Sequence, residues 1–349
     1  MTTAYILHPR HQAHRHANHP ERPERVNAIA DLFRSSEALP RLLSLTPQPA
    51  DEEQLLRVHT RSYLDLLAQL TQRGQPGYFG TDTYFTPESY DIARLSAGAS
   101  LRAVDAVLTG EADNALVAAR PPGHHALPDA AMGFCLLANV ALAARHAQDV
   151  HGVGRILIVD YDVHHGNGTQ AIFYADPDVL YISTHQSPFY PGTGAVEETG
   201  VGAGRGATIN VPLRAGYGDE AFAQVIEQVV WPAAWRFQPE LILVSAGFDA
   251  HWADPLGGMT LTLSGYAHFS RELVRMAQAL CDDRIIFVLE GGYNLQAVAH
   301  GMLNVAYALL DDDTVSDPLG LSDTARQRRR RLSPIAPLLA RIREVHGLA

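Results

Sequence analysis

Residues 155–168 read RILIVDYDVHHGNG: an apolar run, Ile156–Asp160, that breaks into aspartates, histidines and glycines. A run with little polar alternation marks a strand buried on both faces, as in a parallel sheet covered by helices. Similar runs recur outward from it, at Ala115–Ala119, Val179–Ser183, Leu241–Ala246 and Ile285–Glu290. Longer stretches with helical spacing lie between them, at Ser89–Leu108, Leu136–Asp149, Glu220–Arg236 and Gly265–Leu280. This alternation predicts an α/β domain, a central parallel sheet flanked by helices on both faces. No repeat, low-complexity stretch or Pro/Gly/Ser linker divides the chain, so one domain over residues 1–349 is expected.

In open α/β sheets, ligands sit beyond the carboxyl ends of the strands. Polar, Gly-rich runs fall there: RPPGHH (120–125), DYDVHHGNG (160–168), SAGFDA (245–250) and EGGYN (290–294). Asp162 and His164 join a hard oxygen to an imidazole two residues apart, and Asp249 offers a second carboxylate. Two Asp and one His plus a water describe a catalytic zinc site with an open position, and Fe²⁺ suits the same donors. Taken singly, each is equally a polar residue that ends a strand; the set is what points to a metal. A binuclear centre would want further acids where Gly166 and His251 stand, so a single ion is expected.

His124 and His125 are adjacent in a Gly/Pro-constrained loop. One imidazole suits a general base for water, and the other suits holding charge or a proton for the leaving group. Asp160 and Asn167 are candidate orienting acceptors; a carboxylate raises the basicity of its histidine, and an amide orients without doing so. The plainer reading is a pair of histidines in a surface turn. Tyr293 follows the glycines at 291 and 292, which let the backbone turn tightly and approach a ligand. Its hydroxyl would stabilise an oxyanion, or simply pack on the sheet.

Composition narrows the classes. The 349 residues are 46% hydrophobic and 19% charged, ordinary for a globular chain. Two cysteines, Cys135 and Cys281, exclude a disulfide scaffold and fit a reducing cytoplasm. A net charge of −11 makes direct nucleic-acid binding unexpected, and no apolar run of membrane-spanning length or secretory leader is evident.

The motifs PPGHH (121–125), DYDVHHGNG (160–168), STH (183–185) with YPGTG (190–194), AGFDA (246–250) with DPLGG (254–258), and EGGYN (290–294) resemble the histone deacetylase family. They stand in that family's order, and the resemblance runs from HPERPER (19–25) to about Leu310. Asn167, where class I enzymes have aspartate, and Glu290 resemble the class II branch and its bacterial relatives.

The resemblance implies the arginase/deacetylase fold, with about eight parallel strands. It implies Zn²⁺ on Asp162, His164 and Asp249, His124 and His125 as the acid–base pair, and Tyr293 as oxyanion donor. The implied reaction is hydrolysis of the amide of an acylated lysine or related acylated amine. It further implies structural K⁺ at Asp160, Asp162, His164, Ser183 and Thr184, and a second cation position near Phe173, Asp176, Val179 and Ala207. Gly133, Phe134 and Tyr190 would line an acyl-lysine tunnel, with Gly292 close to the substrate. The polyamine-selective eukaryotic branch carries an acid at the position of Leu256, so leucine favours acyl-lysine over acetylpolyamines. Asp82 would bind the substrate backbone or a distal amine. His8, His11, His14, His16 and His19 are read as an exposed entrance loop rather than a second metal site. Residues 311–349 are expected to pack on the core, with Arg326 and Arg328–Arg331 forming a solvated helix end or crossing segment rather than a nucleic-acid patch. An arginase-like ureohydrolase and a non-catalytic binding module are the remaining alternatives.

Overall fold

The computed structural model describes residues 1–330 and 332–348, so Arg331 of the Arg-rich stretch lies outside the described residues. The strands are β1 (Thr3–Ile6), β2 (Leu42–Leu45), β3 (Gly77–Phe79), β4 (Thr83–Phe85), β5 (Asn114–Val117), β6 (Ile156–Asp160), β7 (Val179–Gln186), β8 (Thr208–Leu213), β9 (Leu241–Ala246) and β10 (Ile285–Leu289). Eight of them form one sheet in the order β2-β1-β5-β10-β9-β6-β7-β8, with every neighbouring pair parallel. β3 and β4 make a separate antiparallel hairpin.

The period of two along each strand sends alternate side chains to opposite faces. Leu157 and Val159 of β6, with Val244 of β9 and Phe287 of β10, join one apolar cluster. Ile156, Ile158, Leu243 and Val288 join the other. Helices Glu24–Ser35, Leu263–Leu280 and Leu295–Leu309 cover the first face, and Ser89–Leu108 and Asn139–His151 cover the second. Both faces are therefore dry, and this is why these strands read as unbroken apolar runs. Leu339, Ile342 and Leu348 of the C-terminal segment belong to the first cluster. Arg329 donates to Thr260 Oγ1 (3.0 Å) and Asp219 Oδ2 (3.0 Å), so the Arg-rich stretch is tied to the core at that residue. Among the described residues, no helix is long and apolar enough to cross a membrane.

Some elements depart from the sequence reading. The helix expected from Leu136 begins at Asn139. Leu136 and Leu137 are instead buried in a bend before it, where the Leu136 carbonyl accepts from the Tyr63 hydroxyl (2.7 Å) and the Ala138 amide donates to His59 (2.9 Å). The stretch expected as one helix over Glu220–Arg236 passes through a π turn at Ile226–Val230. Pro232, two residues on, has no N–H for the carbonyl four residues back, which interrupts the regular hydrogen-bond ladder there. β1, β2 and β8 escaped the reading: the first two are four residues long, and β8, at the sheet edge, carries Thr208, Asn210 and Pro212.

Candidate active site

The four polar loops singled out above follow β5, β6, β9 and β10, which are contiguous in the sheet order β5-β10-β9-β6. Their residues consequently meet at one carboxyl edge.

Asp162, His164 and Asp249 each offer a ligand atom, and these atoms lie within 4.8 Å of one another. His164 Nδ1 is 3.0 Å from Asp162 Oδ1 and 3.3 Å from Asp249 Oδ2. Asp249 Oδ1 accepts from the Val163 amide (2.8 Å), and its Oδ2 is buried without a hydrogen-bond partner. Asp162 Oδ2 accepts from the Gly291 amide (2.8 Å). A Cβ on Gly291 would stand 2.1 Å from Asp249 Oδ2 and 2.5 Å from Asp162 Oδ2, so only glycine lets the backbone close this cradle. Burial opposes charge on His164, yet the hydrogen bond of Asp162 and the two carboxylates beside the ring raise its pKa to about 10. Burial and the charge of Asp162 push the Asp249 carboxyl up. Two buried carboxylates converging on one imidazole call for a cation, and the donor set fits Zn²⁺ or Fe²⁺.

His124 and His125 lie beside the cradle with ring centroids 4.0 Å apart, both 3% exposed rather than in a surface turn. His124 Nδ1 donates to Asp160 Oδ2 (3.0 Å), which also accepts from the Tyr181 hydroxyl (3.0 Å). His125 Nδ1 meets Asn167 Oδ1 (2.7 Å), and Asn167 Nδ2 donates to the sulfur of Met132 (3.2 Å). The amide oxygen thus faces His125, whose basic nitrogen is then Nε2. Burial disfavours the cation at both rings. On His124, Asp160 and Asp162 overcome it and raise the pKa well above the ordinary value. On His125, burial and the neighbouring imidazoles lower it well below. The carboxylate and the amide therefore give the two rings unlike character.

A cavity of 180 Å³ opens above the cradle, lined by Asp82, His125, Gly133, Phe134, His164, Phe189, Tyr190, Leu256 and Tyr293. Phe134 and Tyr293 meet edge to face, with ring centroids 5.8 Å apart. Burial holds the Tyr293 phenol well above its usual pKa, so it remains a donor. Gly292, expected beside the substrate, does not line the cavity. Its φ of +109° turns the chain against Phe248, and its carbonyl accepts from Arg25 Nε (2.7 Å). Of the residues expected to hold potassium, Asp160 pairs with Ser183 across β6 and β7, and Thr184 Oγ1 reaches the Asp160 carbonyl (3.4 Å). At the second position, the Phe173 and Ala207 carbonyls accept from Asp176 (3.0 Å) and Tyr181 (2.9 Å), and Val179 begins β7.

Several supporting residues had been given no role in the site. Phe189 stacks on His164 at 5.3 Å, and its place in the run PheTyrPro beside Tyr190 was the available signal. Glu290 Oε2 accepts from the amides of Gly123 (2.7 Å) and His124 (3.1 Å); burial raises its pKa to about 7. Glu21, fully buried, binds Arg120 Nε (2.7 Å) and Arg25 Nη1 (3.3 Å). Arg25 in turn stands 4.9 Å over the Tyr293 ring. The histidine-rich stretch is not exposed throughout as expected: His11 and His14 are buried, His14 because its ring is held by Ser89 Oγ (2.7 Å) of a core helix, while His19 packs edge-on against Phe134 at 4.6 Å.

The histone deacetylase domain model matches residues 19–309. The chain is 46% identical to a "Histone deacetylase-like amidohydrolase" of Pseudomonas aeruginosa, over 80% of this chain and 73% of that protein. It is 40% identical to "Histone deacetylase 14, chloroplastic" of Arabidopsis thaliana, over 84% and 73%. It is 42% identical to the human "Polyamine deacetylase HDAC10", over 82% of this chain and 44% of that one. The crystal structure of the HDA15 HD domain superposes with a TM-score of 0.86 at 37% identity, covering 99% of both chains, and so shares the arginase/deacetylase fold. With its sheet, its site loops and these likenesses in agreement, the chain belongs to the histone deacetylase family.

Proposed function

We propose that this chain is a metal-dependent amidohydrolase that removes acetyl or other acyl groups from the lysine side chains of proteins and peptides. The observation that carries the reading is the convergence of Asp162, His164 and Asp249 beneath a narrow, aromatic-walled cavity that also holds His125 and Tyr293. Asp162, His164 and Asp249 would hold Zn²⁺, with Fe²⁺ as the alternative ion. When bound, the ion polarises the acyl carbonyl and acidifies water.

The chain's own groups supply the rest. Phe134, Tyr190 and Phe189 grip the aliphatic stem and exclude water from the reacting amide. His125, kept neutral by burial, takes a proton from the attacking water at Nε2 and returns it to the departing amine. His124, held cationic by Asp160, balances the negative charge that builds in the site. The Tyr293 hydroxyl donates to the oxyanion of the tetrahedral intermediate. K⁺ at Asp160, Asp162, His164, Ser183 and Thr184, with a second ion near Phe173, Asp176, Val179 and Ala207, belongs to the same proposal. So does a reducing, cytoplasmic setting, supported by two buried free thiols.

The test is a deacylation assay on metal-analysed protein, comparing an acetyl-lysine peptide with acetylated putrescine and spermidine. The peptide is expected to turn over faster. Tyr293→Phe is expected to lower kcat about 100-fold, with KM within about threefold, as for loss of one oxyanion donor. Undiminished turnover in that variant would remove the tyrosine from its role. Leu256→Glu places a second acid in the cavity that Asp82 lines and is expected to shift the kcat/KM ratio toward the polyamines by about tenfold. An unchanged ratio would show that position 256 does not set the preference.

A further inference from the structure

Asp254 is 7% exposed and belongs to the loop after β9, five residues beyond Asp249. Its three hydrogen bonds all run to backbone amides. Oδ1 accepts from Leu256 (2.9 Å), fixing the turn through Pro255. Oδ2 accepts from Tyr293 (2.7 Å) and Asn294 (3.0 Å), which lie in the loop after β10. The bond is returned, since Asn294 Nδ2 donates to the Ala253 carbonyl (3.1 Å). Asn294 Oδ1 meanwhile caps the next helix through Gln296 and Ala297. One carboxylate thus joins two loops that each send a side chain, Leu256 and Tyr293, into the cavity. A carboxylate presents acceptors on both oxygens; the isosteric amide has one oxygen and must turn its NH₂ toward a donor on the other side.

We propose that Asp254 is a positioning residue that acts through Tyr293, fixing the phenol and the Leu256 rim to one another across the cavity. The proposal rests on the deacylase reading above. Misplacing a group in a site of this kind by a fraction of an ångström reaches the rate, because the oxyanion donor works only at its place. A residue that merely stabilised the fold would lower the activity of any variant by the same factor. A residue acting through the phenol loses its effect once the phenol is gone.

The experiment is a double-mutant cycle in the full chain, with kcat and KM on an acetyl-lysine peptide, metal content and melting temperature for each protein. Asp254→Asn is expected to lower kcat at least tenfold while the metal content stays at the wild-type level. Added to Tyr293→Phe, it is expected to cost less than a further twofold. The proposal is overturned if kcat of Asp254→Asn stays within twofold of wild type, or if the same loss appears in both backgrounds. Should Asp254→Asn not fold, Asp254→Glu keeps the charge, displaces it by one methylene and is read in the same cycle with the same two outcomes. A wild-type chain inactive on every acyl amine overturns the deacylase reading and this one with it; an active wild type with an indifferent Asp254→Asn overturns the positioning role alone.

Discussion

Asp249→Asn is expected to abolish metal binding and deacylation together. The carboxylate divides its work: Oδ1 holds the Val163 amide and so fixes the loop that carries His164. Oδ2 is the buried atom left without a hydrogen-bond partner, 3.3 Å from His164 Nδ1. An asparagine whose oxygen keeps the Val163 bond turns its NH₂ into the cradle, a donor where a cation needs a lone pair. Asp162 and His164 alone are two ligands, one short of the set that a catalytic site uses. The polarisation supplied by such an ion is worth several kcal/mol, so kcat should fall by about 10³-fold or more. Metal analysis after dialysis, alongside kcat, checks it. A variant that keeps one ion per chain and turns over within tenfold of wild type would remove Asp249 from the ligand set. Chelation of the wild type should give the same loss, restored by Zn²⁺ or Fe²⁺.

The central strands and the four site loops were legible in the sequence for one physical reason. Strands dry on both faces must be apolar throughout, so the abrupt change at Asp160 or Ala246 marks both the strand end and the start of the site. The pairing of unlike acceptors with the tandem histidines was also readable, because Asp160 and Asn167 flank the same loop. What could not be read were contacts made by residues distant in sequence and ordinary in kind. Nothing local distinguishes Glu21 from other acids; its meaning comes from Arg120, 99 residues away. Asp254 likewise stood only as the first letter of DPLGG, since its bonds to the Tyr293 loop cross 39 and 40 residues. Gly292 shows the converse. A glycine between a strand end and a tyrosine looks like close approach to a ligand, yet here its positive φ serves the turn against Phe248. The same motif letter permits both, and only the packing decides.

Glu21→Gln is expected to cost about 3–5 kcal/mol of stability, the range for removing one partner of a buried ion pair. Glu21 and Arg25 are wholly buried and Arg120 is 1% exposed. Both guanidiniums lean on the one carboxylate, Arg120 through two nitrogens and Arg25 through Nη1. The neutral amide leaves two buried cations without a counter-charge, against a typical domain stability of about 5–15 kcal/mol. Burial alone would raise the Glu21 pKa, but Arg120 prevails and lowers it from 4.5 to about 2. The unfolded chain therefore binds this proton more readily than the folded one. The contribution is fully present above about 4.5 and is lost as pH falls toward about 2. Urea midpoints at pH 7 and pH 3 should show a wide gap between wild type and Glu21→Gln that narrows on acidification. A gap absent at pH 7, or one that widens at pH 3, would contradict the assignment. The loss should also reach the site, because Arg25 holds the Gly292 carbonyl and covers the Tyr293 ring. At a urea concentration where the variant is still folded, its kcat should fall before its metal content does, since among the described residues the hydrogen bonds of Glu21, Arg25 and Arg120 run to Gly292, Glu290, Tyr84 and the entrance loop rather than to Asp162, His164 or Asp249.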